Sequence, residues 1–104
     1  MLAIKKQSVY YAVIVVTKYK SFDEAKSKDP EAINSHIARS KQLHEKGVLL
    51  MSGAFLDSLA MGPLSTMAVL TSKEAAEEYI KYDPFMLKGM IAQHYIRPWA
   101  NMFA

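Results

Sequence analysis

Cysteine is absent from this 104-residue chain. That excludes a disulfide framework, a thiolate nucleophile and any cysteine-ligated metal. Glycine and proline number only 4 each, and neither a low-complexity segment nor a strong internal repeat runs through the sequence. Charge of one sign is also lacking. Lys plus Arg is 13 and Asp plus Glu is 10, and the resulting +3 is too small to argue for a nucleic-acid partner. The apolar run from Val9 to Val16 falls far short of the roughly 20 residues that span a bilayer. Lys5 and Lys6 precede it in the manner of a secretion signal, yet no small-x-small cleavage site closes it. The expectation is a cytoplasmic protein without a membrane partner. A Gly-rich phosphate loop, GxSxG and HExxH are all missing, so no cofactor or metal is expected.

What is present suits a folded domain. The hydrophobic fraction is 51% and the charged fraction 22%, values that exclude disorder. One domain over residues 1–104 is expected, since such a chain buries roughly two-thirds of its unfolded surface. β-branched and aromatic residues fill 9–17, which predicts a strand covered on both faces. Residues 18–29 are polar and read as a long loop, with a helical turn at Ser21 to Ala25. Asp29-Pro30-Glu31 predicts a helix start with an Asp29 cap, and Gly47 ends that helix. Strands follow at 48–55 and 66–70, around a turn from Asp57 to Pro63. Thr71-Ser72-Lys73-Glu74 has capping-box spacing and opens a second helix. Asp83-Pro84 interrupts it; a short helical piece at 85–90 and a strand at 92–99 complete the chain.

The order β-α-β-β-α-β builds an α+β fold, a four-stranded antiparallel sheet with both helices on one face. The first strand is apolar at odd and even positions alike. A bare apolar face would be a large exposed patch, so a homodimer or higher homo-oligomer is expected, sheet on sheet.

Polar residues fall where the first long helix should meet the core. Stepping about 100° per residue puts Ile33, Ile37 and Leu43 on the inner arc. His36, Ser40 and His44 share that arc, while Arg39 and Lys41 fall with the outer polar residues. A buried imidazole needs partners for its nitrogens. Each histidine is either a satisfied core residue or a functional one. His44 lies near the helix C-terminus, where its charge favours the dipole; His36 sits mid-helix. Asp83 either caps the 85–90 turn, as Asp29 caps its helix, or meets an imidazole. The two roles are compatible, one per oxygen, and a carboxylate beside an imidazole raises its basicity. His36 and His44 stand about 12 Å apart along a helix, too far to share an ion with His94. The lysines at 5, 6, 18, 20, 26 and 28 are interrupted by Asp23, Glu24 and Asp29 and read as a solvated face. The methionines read as core filler, with Met86 and Met90 as candidates to line a pocket.

The stretch His36-Ile37-Ala38-Arg39, then Leu43, then Glu45-Lys46-Gly47 into Leu49 to Phe55, resembles the YCII-related family. So do Ser72 to Ala76, Asp83-Pro84-Phe85, Gly89 and Ile96-Arg97-Pro98-Trp99. The resemblance implies a ferredoxin-like fold that dimerises as an α+β barrel, as in muconolactone isomerase-like proteins. It also implies a catalytic histidine–aspartate pair, matched by His36 and Asp83. A dehydrochlorinase acting on a chlorinated hydroxyhydroquinone is among its members. Two departures stand out: the long Lys18 to Asp29 connection, and Met61-Gly62-Pro63-Leu64 in place of a double glycine.

The leading functional expectation is a cofactor-independent lyase or isomerase acting on a small cyclic or aromatic-derived molecule. His36 would move the proton and Asp83 would orient it. Ser40 would donate a hydrogen bond, and Gly53 would admit a ligand close to the strand backbone. The alternative is a non-catalytic small-ligand-binding or accessory protein. A cofactor-free monooxygenase on the same fold is a third reading, by fold analogy alone.

Overall fold

The β-branched run becomes the strand on which the sheet is built. The computed structural model describes residues 9–58 and 62–103. Its strands are β1 (Val9–Thr17), β2 (Leu49–Ala54), β3 (Ser65–Leu70) and β4 (Ile91–Ala100). The helices are α1 (Phe22–Lys28), α2 (Pro30–Glu45), α3 (Lys73–Lys81) and α4 (Pro84–Leu87). The sheet is antiparallel in the order β2-β3-β1-β4, so β1 pairs on both sides. This is the ferredoxin-like α+β arrangement, with α2 and α3 as the two crossover helices. Among the described residues no helix is long and apolar enough to cross a membrane. The Met61 departure lies outside the described residues, as do Lys5, Lys6 and part of the expected turn at 57–63.

Strand alternation sorts the sheet into two faces. Val13 and Val15 join Ala68, Leu70 and Leu49 beneath Ala76, Tyr79 and Ile80 of α3, forming the main core. The even-numbered residues of β1 point the other way. Tyr10 stands opposite Trp99, and Ile14 lies between Met67 and Tyr95. Ala12 and Val69 are buried at the centre of this second face, whereas Tyr95 is 50% and Trp99 43% exposed.

Three local expectations change. Residues 18–29 hold a full helix, α1, rather than a loop with one turn. Ser21 Oγ caps it by accepting from Glu24 N at 3.1 Å. Acids open α1 and lysines close it, as the helix dipole favours. Tyr19, Ala25, Ile33, Leu64 and Phe85 form a second cluster that anchors this segment. The cap lies one residue later than expected and is a simple serine cap rather than a capping box: Ser72, not Thr71, accepts from Ala75 N at 3.1 Å, and alanine at that third helical position cannot reciprocate.

The third change concerns Asp29. It occupies the N-cap position of α2 but makes no side-chain cap bond. Its carboxylate instead accepts from the Tyr19 hydroxyl at 2.5 Å and from Lys88 Nζ at 2.9 Å. Burial, and then this bond to Asp29, pushes the Tyr19 phenol up. The bond from Tyr19, and then that from Lys88, holds the Asp29 carboxyl below its ordinary range. A depressed carboxyl contributes stability above its unfolded pKa and loses it as pH falls through the folded one. Asp29→Asn should therefore destabilise the protein at neutral pH, and the gap should close in acid. Urea melts of both proteins across roughly pH 2 to 7 check this; a gap independent of pH would contradict it.

Candidate functional site

Four-residue spacing stacks His36, Ser40 and His44 along one face of α2. That face meets the sheet only at its C-terminal end, through His44. It forms one wall of a cleft of about 720 Å³, and β2 forms another. Ala32 and Ile33 are the buried residues of α2. Ile37, expected on a buried arc, is 58% exposed because it too fronts the cleft. The polar intrusion into the inner arc thus has a physical reason: these side chains face a cavity rather than packed hydrocarbon.

His36 Nδ1 lies 2.6 Å from Asp83 Oδ1, with side-chain exposures of 18% and 5%. The other carboxylate oxygen, Oδ2, accepts from Phe85 N at 2.9 Å. Asp83 therefore caps α4 and meets the imidazole at once. A buried carboxylate needs such partners to offset lost hydration. The Phe85 ring stacks on His36 with centroids 5.2 Å apart and 30° between planes. Tyr79 meets the imidazole edge-on at 6.3 Å. Because an ionised Asp83 only accepts, Nδ1 donates to it, and the neutral ring keeps its lone pair on Nε2. No protein group among the described residues hydrogen-bonds Nε2.

Ser40 Oγ is buried beside the Tyr79 hydroxyl. Tyr79 also lines the cleft. Burial pushes its phenol up; the nearby Ser40 hydroxyl pulls it back, Asp83 adds to the rise and Arg39 opposes it. Gly53 lines the cleft, and a Cβ there would meet nothing within 4 Å. His44 Nδ1 donates to Leu49 O at 2.8 Å, tying the end of α2 to β2. His94 lies exposed on β4. Among the described residues no three His, Asp or Glu side chains gather as a metal site. Met86 and Met90, expected as pocket candidates, instead pack against the two core clusters.

Sequence reasoning misses Tyr79 and Phe85, the rings that hold the imidazole. The apolar side of α3 and the Asp83-Pro84-Phe85 turn are the available signals, but both also describe an ordinary core. It also places Arg39 outside. Its guanidinium in fact reaches α3, donating to Tyr79 O at 2.7 Å and Glu78 O at 2.9 Å.

The same fold recurs in solved structures of low sequence identity. The 5-chloro-2-hydroxyhydroquinone dehydrochlorinase of Burkholderia phenoliruptrix, solved with 2,5-dihydroxybenzoquinone, superposes with a TM-score of 0.58. It is 16% identical, over 86% of this chain and 92% of its own. A Nitrosomonas europaea protein named for the antibiotic biosynthesis monooxygenases gives 0.56 at 7% identity, covering 97% of each chain. No curated protein matches. The YCII-related domain matches residues 9–100. The chain belongs to the YCII-related family.

The double use of Asp83 separates two substitutions. Asparagine keeps an oxygen for the Phe85 N–H, whereas alanine loses it. Asp83→Ala should be less stable than Asp83→Asn by about 0.5–2 kcal/mol in denaturant melts. Equal stabilities would remove the cap.

Proposed function

We propose that this protein is a cofactor-independent lyase or isomerase that moves a proton on a small cyclic, aromatic-derived molecule. The observation that carries the reading is the 2.6 Å contact between His36 Nδ1 and Asp83, with the second ring nitrogen left to the cleft. Nε2 removes a proton from the bound molecule. Asp83 stabilises the imidazolium that forms and holds its orientation. The electron pair of the broken bond then forms a new double bond and either expels a leaving group or shifts an existing double bond. In the second case the imidazolium returns its proton to another carbon. Neither outcome needs a metal or nucleotide.

The cleft volume of about 720 Å³ lies within the range of small-molecule sites. Its mixed lining of apolar side chains with His36 and Ser40 suits a single ring that bears oxygen. Ser40 donates to such an oxygen, and the open space at Gly53 lets the ring approach β2. The likeness to the dehydrochlorinase adds a chemical candidate, elimination of HCl from a chlorinated hydroxyhydroquinone.

The test is chloride release from 5-chloro-2-hydroxyhydroquinone, together with proton–deuterium exchange on a panel of cyclic enols and lactones. His36→Ala should lower whichever activity is found by about 10²–10⁴-fold and leave the fold intact. Binding of panel members with no exchange or elimination would favour the non-catalytic ligand-binding reading.

Among the described residues no helix covers the second sheet face, and this supports a homodimer. Ile14, Met67, Tyr95 and Trp99 form an apolar surface there, and a monomer would leave it wet. Sedimentation equilibrium should give twice 11.7 kDa. Tyr95→Asp should shift the equilibrium towards monomer; a monomeric wild type at micromolar concentration would overturn the dimer.

A further inference from the structure

We propose that Arg39 is a positioning residue for the His36–Asp83 pair. It lies three residues after His36 on α2, and its two donors grip consecutive carbonyls of α3, those of Glu78 and Tyr79. Carbonyls in the last turn of a helix lack intrahelical donors. Here the shortage is acute. Pro84 has no N–H, and Asp83 N turns to Ile80 O at 3.3 Å. The fourth residue after Tyr79 therefore supplies nothing to its carbonyl, and the guanidinium fills that place. Glu78 O, which also accepts from Tyr82 N at 3.2 Å, receives the second prong.

One helix thus presents the imidazole and grips the end of the segment that leads to its carboxylate. Asp83 follows Tyr79 by four residues, so the position of α3 sets the position of Asp83. The same cation lies 5.5 Å from the Tyr79 ring centroid, and that ring meets His36 edge-on. Arg39 therefore constrains two neighbours of His36, one through the chain and one through a ring. It touches neither the ring of His36 nor Asp83 in any described contact. A guanidinium suits this role because it is a rigid fork with parallel donors, always charged, and a cation favours a helix C-terminus.

This inference rests on the proposed role of His36, but its test does not use turnover. The intact chain, labelled with ¹⁵N in histidine, is observed by NMR at a pH where the His36 ring is neutral. In the wild type the two ring nitrogens should give separate signals, Nδ1 protonated and Nε2 bare. In Asp83→Asn the amide oxygen stays with the Phe85 N–H and the NH₂ faces Nδ1, so the signals should move towards each other as the Nε2–H tautomer gains population. Arg39→Met should move them in the same direction by a smaller amount, with Arg39→Lys between it and the wild type. In the Asp83→Asn background, Arg39→Met should add nothing.

Wild-type His36 signals in Arg39→Met would overturn the proposal, even if the melting temperature fell, since Arg39 would then be a helix-end cap alone. If Arg39→Met does not fold, the same reading on Arg39→Lys decides. Unchanged signals in Asp83→Asn would remove the coupling itself, and the functional reading would fall with it. A shift in Asp83→Asn without one in either Arg39 variant would leave that reading standing and overturn only the role of Arg39.

Discussion

The site depends on where the two oxygens of Asp83 go. One takes the Phe85 N–H and the other meets His36. Pro84 makes the division possible. It keeps Asp83 extended, at φ −64° and ψ 135°, because the residue before proline avoids the α region. It also denies α3 a further donor and starts α4. A single dipeptide thus ends one helix, caps the next and delivers a carboxylate to an imidazole on a third. The cost of burying that carboxylate is offset only while both bonds hold.

Asp29-Pro30 shows that the dipeptide alone does not dictate this outcome. Asp29 has φ −134° and ψ 59°. Tyr19 and Lys88 claim its oxygens, and the N-terminus of α2 goes without a side-chain cap. The same two residues yield a bridge between the end of β1, the start of α2 and the end of α4 instead of a contact with an imidazole. Competition for the carboxylate decides between these fates. That competition is set by which donors the tertiary structure brings within reach.

The helix that carries His36 is organised by the same contest between core and cavity. Ala32 and Ile33 bury the N-terminal part of α2. His44 stitches its C-terminal part to β2. Between these anchors His36, Ile37 and Ser40 line the cleft. Arg39, about 100° round the helix from Ser40, reaches across to hold α3. The polarity that makes α2 a poor core helix makes it a suitable cleft wall.

Much of the architecture is local in origin and therefore legible. The β-branched run of β1, Pro30 at the start of α2 and Gly47 at φ +76° after it are each imposed by side-chain or backbone chemistry within a few residues. Together with the strand and capping signals further along the chain, they place every strand and both crossover helices. Ser21 and α1 are less legible because polar residues and lysines describe a loop and a short amphipathic helix equally well; burial of Tyr19 and Ala25 settles it. His36, Ser40 and Asp83 announce themselves as polar residues at apolar positions. Their arrangement lies beyond the sequence. His36 and Asp83 are 47 residues apart, and a side chain's partner across such a distance is chosen by packing, not by spacing. For the same reason only the fold could turn Arg39 from a solvated charge into a clamp on α3, and reveal that Asp29 and Asp83, alike in sequence, serve different neighbours.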